Sequence, residues 1–186
     1  MTGVDSVVLN FLNGVAGKYF LLDGIYIFFS EYLIYILGIT FFLYLFKVKD
    51  WKERMQILSL GVIAVIISRG IVTPLIRFFF YKPRPFMALD VNTLIDHADT
   101  GSFPSGHIAF LVPLMLILWH INKRAGVWGL VGAFLMGVAR IGVGAHWPTD
   151  ILGGFLVGTI GYAIPWFLLK NKIFIKKENV QAGTSL

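Results

Sequence analysis

Residues 20–46 read FLLDGIYIFFSEYLIYILGITFFLYLF, and only Asp23 and Glu31 in this run carry a charge. Wound as an α-helix at ~1.5 Å per residue, the run is about 40 Å long. That exceeds the ~30 Å hydrocarbon core of a bilayer, and a helix apolar on every side has no water-facing stripe. The fold is therefore decided by lipid, and the rest of the chain repeats the pattern. Gln56–Phe80 is a second apolar run with Arg69 inside it and Arg77 near its end. Ser105–Ile121 is a third, short and interrupted by Pro113, and Gly126–Val143 and Pro148–Leu169 are a fourth and a fifth. Ahead of them, Val4–Val15 places Val7, Val8, Phe11, Leu12 and Val15 on one helical face, with Asp5, Asn10 and Asn13 elsewhere. It is too short to cross and is expected to lie in the interface.

The expectation is one all-α domain, residues 1–186: a polytopic membrane bundle of five transmembrane helices plus an N-terminal interfacial amphipathic helix. Its core covers residues 20–170, and the tail 171–186 is polar and unstructured beyond Lys177. Composition agrees. Across 186 residues, 57% are hydrophobic and 14% charged, with a mean hydropathy of +0.77, whereas soluble domains are nearer a quarter charged. The net charge of +6 forms no basic face for nucleic acid. Instead, ten of the sixteen basic residues fall at 47–54, 123–124 and 170–177, short segments that five crossings put on one side. The positive-inside rule makes that side cytoplasmic, with the N-terminus outside and the C-terminus inside. With no cysteine, disulfides, thiolate metal sites and a Cys nucleophile are excluded. Residues 1–13 lack the basic start and small-residue cleavage site of a signal peptide. Gly129, Ala133 and Gly137, and then Gly154, Gly158 and Gly161, offer small surfaces where helix backbones approach closely.

The same topology gathers Arg77, Arg84, His107, Arg140, His146 and Asp150 at the outer ends of spans two to five. Pro148 suits the first position of a helix, leaving Trp147 as its cap and Asp150 in the first turn, within reach of His146. A carboxylate accepting from Nδ1–H leaves Nε2 free as a nucleophile. Pro104-Ser105-Gly106-His107 opens span three, where unpaired N–H groups favour an anion. Ser105 adds a hydroxyl there, Gly106 permits close approach, and His107 is placed to protonate a leaving oxygen. Arginine binds phosphate oxygens in pairs and stays charged at any pH. Each piece also has an ordinary explanation, since arginines snorkel to head groups and Ser-Gly commonly starts a helix. The set is specific where its pieces are not. Glu31 and Arg69, at similar depths in spans one and two, are expected to pair as structure or as a wall of the pocket. His97 between Asp96 and Asp99 reads as a solvated loop rather than a metal site, and His120 as interfacial.

Arg77-x6-Arg84-Pro85, Pro104-Ser105-Gly106-His107 and Arg140-x5-His146-x3-Asp150 resemble the three signature motifs of the type 2 phosphatidic acid phosphatase superfamily, in order, over residues 77–150. The resemblance implies that His146 is a nucleophile forming a phosphohistidine, Asp150 its orienter and His107 the general acid. It implies phosphate binding by Arg77, Arg84, Arg140, Ser105 and Gly106, with no metal or other cofactor. There are two departures: Arg77 occupies a position usually held by Lys, and Ala139 precedes Arg140 where Ser is usual. Lys82 offers a partial substitute for the missing lysine, five residues out of register. Within the family the chain is most similar to bacterial undecaprenyl-pyrophosphate phosphatases. That likeness implies a lipid (pyro)phosphate substrate at the outer leaflet of the bacterial cytoplasmic membrane. Phosphatidylglycerol phosphate, lipid A phosphate and transfer to another lipid are the alternatives, and a non-enzymatic scaffold or transporter subunit is the reading from another class. The oligomeric state is left open.

Overall fold

The computed structural model describes residues 3–96 and 100–173, and side chains through 169; His97, Asp99 and the tail from 174 onward fall outside them. Among the described residues seven helices follow one another, α1 Gly3–Asn13, α2 Phe20–Lys47, α3 Trp51–Phe79, α4 Pro85–Ala88, α5 Gly106–Ile121, α6 Lys123–Gly142 and α7 Pro148–Ile173. No strand occurs among the described residues. Four segments, Phe20–Lys47, Trp51–Phe79, Lys123–Gly142 and Pro148–Leu169, are long and apolar enough to cross a membrane. The third expected span, α5, has only 16 residues. It occupies the centre of the bundle, packed mainly on α6 and α7 and also on α2 and α3. Ile108, Leu111, Met115 and Leu118 are fully enclosed, so this helix needs little lipid-facing length. Pro113 does not interrupt it: the helix runs unbroken from Gly106 to Ile121. Its missing hydrogen bond is tolerated because its neighbours enclose it.

The small residues act as expected. A Cβ at Gly158 would lie 2.7 Å from that of Val112, and one at Gly161 would lie 2.8 Å from the Ala64 carbonyl oxygen. Gly129 and Gly137 leave the room that Met115 and Ile151 fill. Asp50 caps α3 by accepting from Glu53 N–H, and Asn122 caps α6 by accepting from Ala125 N–H. These turns lie with Lys47, Lys49, His120 and Trp166 around a cavity of ≈590 Å³ at one end of the bundle. His120 stacks on Trp166 with ring centroids 3.9 Å apart and bonds Tyr162 Oη at 2.6 Å.

Two helices are not α-helical throughout. α2 widens to π turns over Phe28–Tyr32, and α3 over Ile66–Val72. Such turns interrupt the usual carbonyl pairing and often mark functional sites. In α1 the polar residues do not face water as expected. Asp5 and Asn13 are buried against the protein while Asn10 is exposed, and the apolar face divides. Val7 and Phe11 point outward, and Leu12 packs on the core.

Candidate active site

His146 lies in the five-residue turn between α6 and α7. Gly144 makes the turn possible, with φ +79° and a Cβ position only 3.2 Å from the Asn92 carbonyl oxygen; a side chain there would be strained and crowded. The turn is drawn back onto α6, since His146 N–H and Ala145 N–H both donate to the Arg140 carbonyl. Asn13 of α1 ties its surroundings together, donating to the Gly142 and Asn92 carbonyls and accepting from Asn92 N–H.

Asp150, in the first turn of α7, reaches back as expected. Its Oδ2 accepts from Trp147 N–H at 2.8 Å and lies 3.3 Å from His146 Nδ1. On the other side of the ring, Arg84 Nη1 lies 3.4 Å from His146 Nε2. A guanidinium can only donate, so this contact needs a lone pair on Nε2 and a proton on Nδ1 facing the carboxylate. The network thus selects one tautomer of a neutral ring. Burial, reinforced by the positive charges of Arg140 and Arg84 and opposed by Asp150, lowers the His146 pKa to about 3. The imidazole, 1% exposed, is held neutral, with the Nε2 lone pair turned to Arg84.

Arg84 and Arg140 act on the ring by their charge. Arg84 is fixed by the Ala145 carbonyl and by Thr100, and burial lowers its pKa while Asp150 opposes the shift. Arg140 Nη1 donates to the Ser30 carbonyl in the π turn of α2 and lies 3.6 Å from Glu31 Oε1. The expected Glu31–Arg69 pair is therefore replaced by Glu31–Arg140. Arg77 donates to the Pro104 carbonyl at 2.9 Å, next to the start of α5. Ser105 N–H donates to the Asp150 carbonyl, locking that start onto α7. Ser105 occupies the cap position but its hydroxyl caps nothing. Its Oγ is buried without a hydrogen-bond partner among the described residues, as are Arg77 Nε and Arg140 Nε. Buried donors are seldom left unpaired, and these three lie on the elements converging on His146. His107 follows Gly106 in the first turn of α5 and lines a cavity with Arg69. No three His, Cys, Asp or Glu side chains cluster as metal ligands among the described residues.

Lys82 does not join the arginines as a replacement lysine. Its Nζ meets Asp150 Oδ1 at 3.1 Å, Thr149 Oγ1 at 2.6 Å and Asp5 Oδ2 at 3.3 Å. Asp5 in turn accepts from Thr149 N–H at 3.0 Å, at the N-terminus of α7. The sequence reading missed Asp5, Asn13, Thr100 and Thr149 as parts of the site. Only Asp5 carried a usable signal, as an acid without a basic neighbour in a short apolar helix.

A helical membrane bundle with a buried His–Asp pair and an arginine on the far side of the ring defines a class, and the comparisons agree with it. Residues 58–173 match the PAP2 superfamily. Undecaprenyl-diphosphatase BcrC of Bacillus subtilis (strain 168) is 32% identical over 150 residues, 80% of this chain and 76% of that protein. Bacitracin transport permease protein BcrC of Bacillus licheniformis is 30% identical over 166 residues, 89% of this chain and 80% of that protein. Among solved structures, LpxE of Aquifex aeolicus superposes with a TM-score of 0.70 at 28% identity, covering 88% of this chain and 95% of that one. The chain belongs to the PAP2 superfamily, and it is an integral membrane protein of the lipid-phosphatase kind.

Proposed function

We propose that this protein removes the terminal phosphate from a lipid diphosphate, undecaprenyl pyrophosphate first, at the outer leaflet of a bacterial cytoplasmic membrane. The observation that carries the proposal is the position of His146, with Asp150 on Nδ1 at 3.3 Å and Arg84 at Nε2 at 3.4 Å. The relatives named undecaprenyl-diphosphatase support the substrate.

In this mechanism the Nε2 lone pair attacks the terminal phosphorus, and the bond to the bridging oxygen breaks with its electron pair passing to that oxygen. The products of this half-reaction are phosphohistidine and the lipid monophosphate, with His107 supplying a proton to the departing oxygen where one is needed. Asp150 stabilises the ring as it becomes positive. Water then attacks phosphorus, orthophosphate leaves, and neutral His146 returns. Arg77, Arg84 and Arg140, with the Ser105 hydroxyl and the α5 N–H groups, neutralise charge on the transferring group, which is the main source of catalysis in phosphoryl transfer. Arginines perform this neutralisation without a metal ion.

The chain crosses five times, α5 being the third and shortest crossing at about 24 Å by ~1.5 Å per residue, short because it is sheathed by the other four. α1 lies on the outer surface with Val4, Val7 and Phe11, 70%, 69% and 79% exposed, turned toward lipid. The lipid tail remains in the bilayer while the head group reaches the arginines.

The test compares initial rates of phosphate release by purified protein in EDTA from undecaprenyl pyrophosphate, phosphatidic acid and phosphatidylglycerol phosphate. The expected result is fastest release from the pyrophosphate and none from His146→Ala. Release that requires Mg²⁺ contradicts the mechanism, and release from no lipid returns the chain to a scaffold role.

A further inference from the structure

Arg69 is the cation the catalytic geometry leaves unexplained. It lies in the π turns Ile66–Val72 of α3, ten residues before the end of the Trp51–Phe79 span. That is about 15 Å along the helix from its outer end at ~1.5 Å per residue. Among the described residues no acidic side chain lies within 4.0 Å of it and no hydrogen bond engages it; Glu31 is taken by Arg140. A charge at that depth is costly unless an anion or a polar cavity meets it. Arg69 does face a cavity, ≈180 Å³, lined also by Ile34, Gly106, His107 and Phe110. Its guanidinium lies across Gly106, where a Cβ would fall 2.7 Å from Nε and 3.1 Å from Cζ. Gly106 is adjacent to Ser105, whose buried hydroxyl is unpartnered. Arg69 thus borders the phosphate cup on its His107 side, where the leaving group departs.

We infer that Arg69 binds the phosphate that stays on the lipid when a diphosphate is cleaved, and so selects lipid diphosphates over monophosphates. The inference rests on the proposed diphosphatase reading. Breaking the bond between terminal phosphorus and bridging oxygen leaves an added negative charge on the lipid's own phosphate. A guanidinium beside the proton donor stabilises that charge as it develops. A lipid monophosphate releases an alcohol instead, with no second phosphate for Arg69 to meet. The surrounding apolar residues Ile34 and Phe110 suit the first carbons of the tail.

The test measures kcat/KM of the full-length protein, in one micelle composition, on a diphosphate and a monophosphate of the same isoprenoid tail. A charge-assisted phosphate contact of this kind corresponds to a fold-change of roughly 10 to 100. Arg69→Gln is expected to lower the ratio of the two kcat/KM values by that factor, through the diphosphate, and Arg69→Lys to recover part of it. A ratio in Arg69→Gln equal to that of the unaltered protein overturns the assignment, whether both activities fall together or neither falls. Failure of the parent reading looks different: the unaltered protein would then cleave the monophosphate and not the diphosphate, which sinks this role with it.

Discussion

His146 combines two properties that solution chemistry sets against each other, a lone pair on an unprotonated ring and a carboxylate partner suited to positive charge on that ring. Burial among arginines supplies the first and Asp150 the second. A pKa lowered to about 3 means that Nε2 is protonated only as pH falls through that value, far below the usual ~6.5. Single-turnover phosphoryl transfer, corrected for substrate ionisation, is therefore expected to stay level on the acid side from pH 7 to pH 5. An inflection near 6.5 that moves to higher pH in Arg84→Gln, where a cation that lowers the pKa is lost, would show instead that the ring titrates like a solvated histidine. The His146–Asp150 relation was legible because Pro148 fixes where α7 starts, which places Asp150 one turn from the ring. The partner of Glu31 was not legible. Counting residues gives depth along a helix but not rotation about it, and the π turns in both α2 and α3 change that rotation. The structure turns Glu31 to Arg140 and Arg69 to the start of α5.

Among the elements, α1 is hydrogen-bonded to the segments that carry the candidate site. Asp5, 2% exposed, links three segments far apart in sequence: it accepts from Lys82, from Thr149 Oγ1 and from the Thr149 N–H at the start of α7. Through Lys82 it also reaches the Asp150 carboxylate beside His146. Removing it leaves the Thr149 N–H and part of the Lys82 charge unmatched, at about 1–3 kcal/mol for a buried group. Asp5→Ala is thus expected to lower the thermal midpoint and to reduce kcat about tenfold with little change in KM, since no arginine of the phosphate cup is touched. An unchanged kcat in folded protein would show that α1 is only a surface anchor. An amphipathic pattern alone places acids on the water side, and this is why Asp5 and Asn13 escaped notice. The small residues of α6 and α7 were easier to read, because close backbone approach in lipid has few other means.

For the whole molecule, charge and chemistry separate to opposite ends. Lys47, Lys49 and Glu53 gather with the α5–α6 turn around one cavity, and His146, Arg84 and Asp150 sit where the helices end on the other side. The apolar runs were visible in the sequence because bilayer thickness acts on composition. The central place of α5 was not visible, since its length suggests a marginal span and only packing shows it enclosed. With no native cysteine, the topology has a clean assay. In intact cells Asp90→Cys is expected to react with a membrane-impermeant maleimide and Lys49→Cys to react only after lysis; the reverse pattern would place the site on the cytoplasmic side. A phosphohistidine at His146, the step on which the proposed reaction turns, can be trapped. Protein in EDTA is mixed with a lipid diphosphate carrying ³²P in its terminal phosphate, quenched in alkali and digested. An alkali-stable, acid-labile phosphate is expected on the peptide containing His146, absent in His146→Ala. Continued phosphate release by His146→Ala, or a label on another residue, would contradict it.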